Sequence, residues 1–293
     1  MMRRMALALH RPTDVDAFMA LAGQYLAARE AEHNLFFGIA SQIRSAPELF
    51  AIDPPTYAVV TDAGERVVAA TMRTPPNNQV LSQVDDSDAV DLLADALAGE
   101  RLPGVLGPRG AAERFATRWA ERNGATARLD VAERIFCLER LIPPERPAEG
   151  RWRLAEAADR DIIASWLRAF HAEATPGQPP LADAEAVAER WTQGLYRQMY
   201  LWEDGGRVVS MVGAGGETPN VIRIGPVYTP PDDRDRGYAS SLTAATSQDQ
   251  MDRGHRFCFL FTDLANPTSN KIYQAIGYEP VCDVDMYRFD ARS

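Results

Sequence analysis

The chain has 293 residues, 46% of them hydrophobic and 25% charged, with 20 Gly and 20 Pro. This excludes a disordered or repetitive chain and fits two compact units more readily than one. A formal charge of -10 argues against a broad nucleic-acid or anionic-membrane surface but leaves room for a local basic pocket. Lys271 is the lone lysine, so such a pocket would be built from arginine, the residue suited to forked phosphate contacts. Cys137, Cys258 and Cys282 have no paired short spacing, which points away from a disulfide scaffold and from structural zinc. No stretch approaches the ~20 apolar residues of a spanning helix. The apolar run before His10 is too short for a secretory signal, so a cytoplasmic protein without a membrane partner is expected.

In chain order, Val15 to Arg29 reads as a helix behind Thr13-Asp14, and a second helical stretch follows through the thirties. Tyr57 to Thr61 and Val67 to Thr71 read as a hairpin across Asp62-Ala63-Gly64-Glu65, and Val80 to Val84 as a further strand. Ala89 to Ala98 reads as a helix, Gly104 to Leu106 as a short buried strand, Ala111 to Arg122 as a helix, and Ile135 to Leu141 as a closing strand. Residues 142–150, interrupted by Pro143, Pro144 and Pro147 and ended by Gly150, read as a linker.

Beyond the linker the order recurs. Arg151 to Ala155 reads as a strand, Ile162 to Glu173 and Ala184 to Gln198 as helices, and Tyr200 to Glu203 with Val208 to Val212 as a hairpin. Val221 to Tyr228 reads as a longer strand, followed by a helix from about Tyr238 to Met251, the strand Phe257 to Phe261, a helix from Pro267 to Ala275, and strand material from Glu279 to Phe289. The expected fold class is α+β, a mixed α/β chain in which two related domains, 1–141 and 151–293, each form a twisted mixed sheet flanked by helices.

The chemistry concentrates in Gly225-Pro-Val-Tyr-Thr-Pro-Pro-Asp-Asp-Arg-Asp-Arg-Gly-Tyr-Ala239. A strand ends at Tyr228-Thr229, two prolines stop the ladder, and a helix opens near Gly237. Free N–H groups and the helix dipole at such an N-terminus favour a phosphate. Downstream, Asn266-Pro-Thr-Ser-Asn-Lys-Ile-Tyr273-Gln-Ala-Ile-Gly277-Tyr278 has a capping residue, proline at the first helical position and glycine at the exit.

The two segments together resemble the GCN5-related N-acetyltransferase (GNAT) family. Arg234, Gly237 and Ala239 match its Arg/Gln-x-x-Gly-x-Gly/Ala pattern, and Asn266 through Tyr278 resembles its Asn-x-x-Ala/Ser-x-x-Leu-Tyr-x-x-x-Gly-Phe segment, with Ile272 and Tyr278 as departures. The resemblance covers about Arg151 to Ser293 well and the first half in outline. It implies acetyl-CoA as cosubstrate without a metal. Val227, Tyr228 and Thr229 would receive the pantetheine arm, and Arg234, Asp235, Arg236, Gly237, Tyr238 and Ala239 would surround the pyrophosphate. Asn266 would lie near the coenzyme arm, and Tyr273 would protonate the departing thiolate. Tyr228 would line the acceptor site or hold a water. The reaction implied is direct attack of a primary amine on the thioester in a ternary complex, with a small cationic acceptor suggested by the net charge.

No motif fixes a base: Glu173, Glu203 and Glu217 are candidates, and His171 is more readily a packing or surface residue. His255 reads as part of a turn, and His10 and His33 lie in the other half. The first half carries Asp85, Asp86, Asp88 and Asp91 where the second carries arginines and glycine, and so reads as a degenerate copy. A noncatalytic acyl-CoA sensor or interaction module is the competing reading, and a longer acyl donor a variant of the first. Coenzyme A and an amine are the expected partners of a monomer or homodimer.

Overall fold

The computed structural model describes residues 6–174, 180–216, 218 and 220–291. The first half contains β1 (Ala8–His10), α1 (Val15–Ala27), α2 (Asn34–Ser45), β2 (Thr56–Thr61), β3 (Val67–Arg73), β4 (Gln79–Leu81), α3 (Ser87–Ala96), β5 (Gly104–Pro108), α4 (Arg109–Asn123) and β6 (Ala125–Leu138). The second contains β7 (Arg151–Leu154), α5 (Arg160–Ala174), α6 (Ala184–Thr192), β8 (Arg197–Asp204), β9 (Arg207–Gly215), β10 (Val221–Tyr228), α7 (Tyr238–Asp252), β11 (Phe257–Asp263), α8 (Pro267–Ala275) and β12 (Glu279–Ala291).

By contacts the chain forms one unit from residues 1–135 and 281–293 and another from 136–280. The expected division at 142–150 follows the sequence repeat, whereas the units follow strand pairing. In the first unit the strand order is β1-β2-β3-β4-β5-β12-β6, and in the second the end of β6 begins the order β6-β11-β10-β9-β8-β7. Residues Val284 to Arg288 of β12 pair antiparallel with Pro108 to Gly104 of β5. The second half therefore hands its closing strand to the first unit, whereas β6 lies in the first unit as far as Ile135 and only its last residues, from Phe136, belong to the second.

Strand alternation builds two cores in each unit. Along β2, Ala58 and Val60 pack with Leu93, Phe115 and Trp119 of α3 and α4, while Tyr57 and Val59 pack with Phe18, Leu26 and Phe36 of α1 and α2. In the second unit, Tyr200 and Trp202 of β8 share a core with Leu242 and Tyr273 of α7 and α8. Met199 and Leu201 face Ile163, Leu167 and Ala188 of α5 and α6. Side-chain caps start α1, where Asp14 Oδ1 accepts the Ala17 N–H at 2.8 Å, and left-handed Gly124 ends α4.

Element order follows the sequence reading, with differences at the boundaries. The helix expected to run from Ala184 to Gln198 stops at Thr192. Gly194 and Tyr196 then take φ of 71° and 64°, turning the chain so that Arg197 begins β8. The closing strand expected from Ile135 already starts at Ala125.

Candidate active site

The site begins where two parallel strands part. β10 pairs with β11 over Val221–Phe257, Ile222–Cys258 and Arg223–Phe259, yet β10 continues to Tyr228 and β11 to Asp263. On its other edge β10 stays paired with β9 through Val227 and Tyr228, across a register shift between Ile224 and Val227. Pro226 has no N–H to give the ladder there. The result is a wedge open between β10 and β11, where an extended ligand can pair with main chain as an added strand.

Past the wedge, the segment Thr229 to Ala239 reaches the start of α7. Asp235 and Gly237 have φ of 62° and 79°, a left-handed setting that turns successive N–H groups toward a common concavity. Gly237 is the N-cap, and no side chain caps the helix. In the first unit Asp86 Oδ1 instead occupies the Asp88 N–H at 2.9 Å. Two pegs fix the loop. Arg207 Nη1 and Nη2 donate to the Asp233 carboxylate at 2.7 and 2.6 Å, and the Tyr238 hydroxyl donates to Asp204. Asp233 is buried, and the Arg207 hydrogen bonds hold its pKa below the ordinary value.

Asp233→Asn is therefore expected to loosen this loop, weakening the binding of an anion at the start of α7 roughly tenfold, about one hydrogen-bond's worth to a charged group, and lowering the midpoint of thermal unfolding. Because the pKa of Asp233 is depressed, its contribution to stability is present above the unfolded value near 3.8 and is lost as pH falls through the folded one. Unchanged affinity and melting temperature in the variant would show that the peg is dispensable.

Arg234 does not point its guanidinium at the open helix end. Its Nε donates to the Thr229 carbonyl at 3.0 Å, and Nη2 donates to both Glu173 oxygens at 2.9 and 2.8 Å. The Tyr228 ring lies 5.9 Å from this guanidinium and 6.0 Å from Trp166 of α5. Burial, then the Glu173 charge, pushes the Tyr228 phenol above its usual pKa, so it stays protonated at neutral pH. Ser210 Oγ donates to the Tyr228 carbonyl at 3.1 Å and lies 2.8 Å from Thr229 Oγ1, which pins the end of β10. Val227 packs toward the α7 and α8 core, opposite Tyr228.

Tyr273 belongs to that opposite core, with 8% exposure, its ring 6.0 Å from that of Tyr278. Burial alone raises its pKa. The second departure in the downstream motif is accommodated locally, since the Tyr278 hydroxyl lies 2.7 Å from Ser247 Oγ of α7. Asn266 immediately precedes α8, and its carbonyl accepts the Asn270 side-chain amide at 2.9 Å. That amide also reaches the Asp263 carbonyl at 3.3 Å, so Asn270 ties α8 to the end of β11, a role its position inside the motif did not reveal.

The remaining base candidates separate. Glu173 spends its carboxylate on Arg234. Glu203 is held by Arg153 at 2.7 Å and Arg151 at 3.5 Å, which lowers its pKa and makes it part of the β7–β8 edge instead of the site. Glu217 lies outside the described residues. In the first half, Arg109 is committed to Asp285 at 3.1 Å and Asp283 at 2.9 Å. The cleft there, about 590 Å³, is lined by Asp85, Asp91, Glu113 and Glu121 as well as Arg114 and Arg118; both arginines are already paired with aspartates. Among the described residues, no group of three or more His, Cys, Asp or Glu side chains is placed to hold a metal, and no helix is long and apolar enough to cross a membrane.

Residues 152–281 match the family model described as the acetyltransferase (GNAT) domain. Among solved structures, a GCN5-related N-acetyltransferase from Sphaerobacter thermophilus is 17% identical with a TM-score of 0.62, covering 98% of this chain and 96% of its own. A tandem GNAT protein from the clavulanic acid biosynthesis pathway is 16% identical with a TM-score of 0.54, covering 99% of each chain. A protein from Drosophila is 14% identical with a TM-score of 0.67, covering 98% and 99%. No curated protein matches the chain in sequence. These likenesses extend over both halves and share one fold, the tandem pair expected from the repeated order of elements.

Proposed function

We propose, from the match of residues 152–281 to the acetyltransferase (GNAT) domain model, that the chain transfers an acetyl group from acetyl-CoA to a primary amine, with one donor site per chain, in the second half. The observation that carries this reading is the contrast between helix starts: α7 opens on an uncapped, left-handed Gly237, whereas α3 opens on Asp86, whose own carboxylate takes the N–H. A pyrophosphate fits the first and is repelled at the second.

In this reading the pantetheine arm lies along the wedge beside Val227, Tyr228 and Thr229, and the residues from Arg234 to Ala239 surround the phosphates mainly through main chain. Asn266 sits at the end of the arm. A main-chain N–H at Val227 or Tyr228 polarises the thioester carbonyl. The amine approaches from the α5–α6 face, forms the new C–N bond and gives up a proton to a water relay, while the C–S bond breaks and the thiolate takes a proton from Tyr273 on the other face. The Tyr228 phenol, protonated at neutral pH, orients the acceptor or a water.

A small cationic acceptor rests on the net charge of -10, because Glu173, the acidic side chain beside Tyr228, is neutralised by Arg234. Titration of the intact chain with coenzyme A is expected to give one site, weakened in a Gly237→Val variant and unchanged in an Asp86→Ala variant. Two equivalent sites, or one that survives at position 237 and vanishes with change in the first half, would sink the assignment. Isolated halves are unsuitable, since the first unit contains the closing strand β12 of the second half, paired with β5, and the second unit begins with the end of β6.

A further inference from the structure

The α5–α6 face of the second unit carries a buried cation that the transfer reaction does not explain. Arg197 of β8 and Arg223 of β10 both pair with Gly215 of the intervening β9. Directly opposed residues share a face of the sheet, and Met199, two residues along, packs with α5 and α6. The Arg197 guanidinium lies 5.1 Å from the Trp191 ring of α6, and that of Arg223 lies 4.7 Å from the Phe261 ring of β11.

Glycines clear the path. A Cβ on Gly213 would fall 2.7 Å from Arg197 Cδ and 2.8 Å from the Gly225 carbonyl oxygen, so the Arg197 side chain crosses β9 toward β10 through space that only glycine leaves. At Gly225 itself a Cβ would meet nothing within 4 Å. Gly225 lies where β10 has left β11 and its register with β9 shifts, beside the wedge assigned to the thioester. The residue Arg197 keeps some exposure, but Nη1 is shielded from solvent and has no hydrogen-bond partner among the described residues. Burial, then the Arg223 charge, lowers its pKa to about 9, which leaves it charged at neutral pH. A buried guanidinium with an unused donor is costly unless an anion joins it.

Building on the acetyl-transfer reading, we infer that the acceptor is a small amino acid, its carboxylate held by the Arg197 guanidinium while its amine faces the wedge at Gly225. A carboxylate fits the planar fork of an arginine with two parallel hydrogen bonds, and a site built around such a pair rejects an analogue that leaves the donors bare.

The test compares common amino acids with their decarboxylated amines on the intact protein, reading amine-dependent thiol release and, separately, calorimetric binding to the protein loaded with coenzyme A. The preferred amino acid is expected to exceed its decarboxylated amine in kcat/KM by about 100-fold or more. Arg197→Gln should abolish that preference mainly through KM, and Arg197→Lys should restore part of it. Equal efficiency of both acceptor types in the unaltered protein would overturn the inference, as would an Arg197→Gln variant that weakens both equally. If no amine is acetylated although coenzyme A binds, the transfer reading fails. Calorimetry then still decides the carboxylate: binding of amino acids but not of amines supports the Arg197 site, and binding of neither removes it.

Discussion

Tyr273→Phe is expected to slow single-turnover acetyl transfer about 100-fold, the lower range for loss of a positioned acid, while leaving coenzyme A affinity nearly unchanged. Tyr273 is enclosed in the α7–α8 core, and burial holds its phenol above the ordinary pKa of 10. The proton is therefore present throughout the neutral range. The same shift contributes stability that is complete below the unfolded pKa and is lost as pH rises toward the folded one. Phenylalanine keeps the ring contact with Tyr278 and removes only the hydroxyl, so folding should survive. Rapid-quench transfer at saturating amine is the appropriate measurement, because steady-state turnover can be limited by product release. An unchanged single-turnover rate would show that water protonates the thiolate.

Gly237→Val is expected to weaken coenzyme A binding by roughly 10- to 100-fold, corresponding to about 1.4–2.8 kcal/mol. The reason is conformational more than steric. A Cβ at this position would lie 3.7 Å from the Arg146 carbonyl oxygen and 3.9 Å from Ala148 Cβ, ordinary contacts, but φ is +79°, a setting that strongly disfavours a β-branched residue. Relaxing φ would turn the first α7 amides away from the phosphates. The Arg207–Asp233 pair and the Tyr238–Asp204 bond anchor both sides of the turn, so damage should stay local. Equilibrium titration with coenzyme A reads the effect, and full affinity in the variant would remove Gly237 from the site.

The motif around Gly237 was legible because it joins a strand end, two prolines and a helix start within a few residues. The downstream segment was legible because Asn266, Pro267 and Gly277 occupy positions with known local chemistry. Arg197 was not. The apolar spacing from Ala184 reads as a helix through Gln198, and only the left-handed turns at Gly194 and Tyr196 place Arg197 in a strand. Its importance also depends on Gly213, Gly215 and Arg223 in two other strands, a relation that pairing creates and chain order conceals. The Arg207–Asp233 peg links residues 26 positions apart and leaves no local signature. The transfer of β12 to the first unit was hidden for a related reason: it reads as the closing strand of its own half, and nothing local states that β5 will receive it.

The central claim is that the uncapped α7 start and the β10–β11 wedge hold an acyl donor for reaction with an amine. Its most direct measurement is release of free coenzyme A thiol in a single turnover by the intact protein loaded with acetyl-CoA, with and without a panel of amines and amino acids. Thiol should appear with an effective acceptor, in equal amount to the acetylated amine, and only at the slow background rate without one. Stoichiometric donor binding with no acceptor-dependent thiol release across the panel would contradict the enzyme and favour a noncatalytic acyl-CoA sensor.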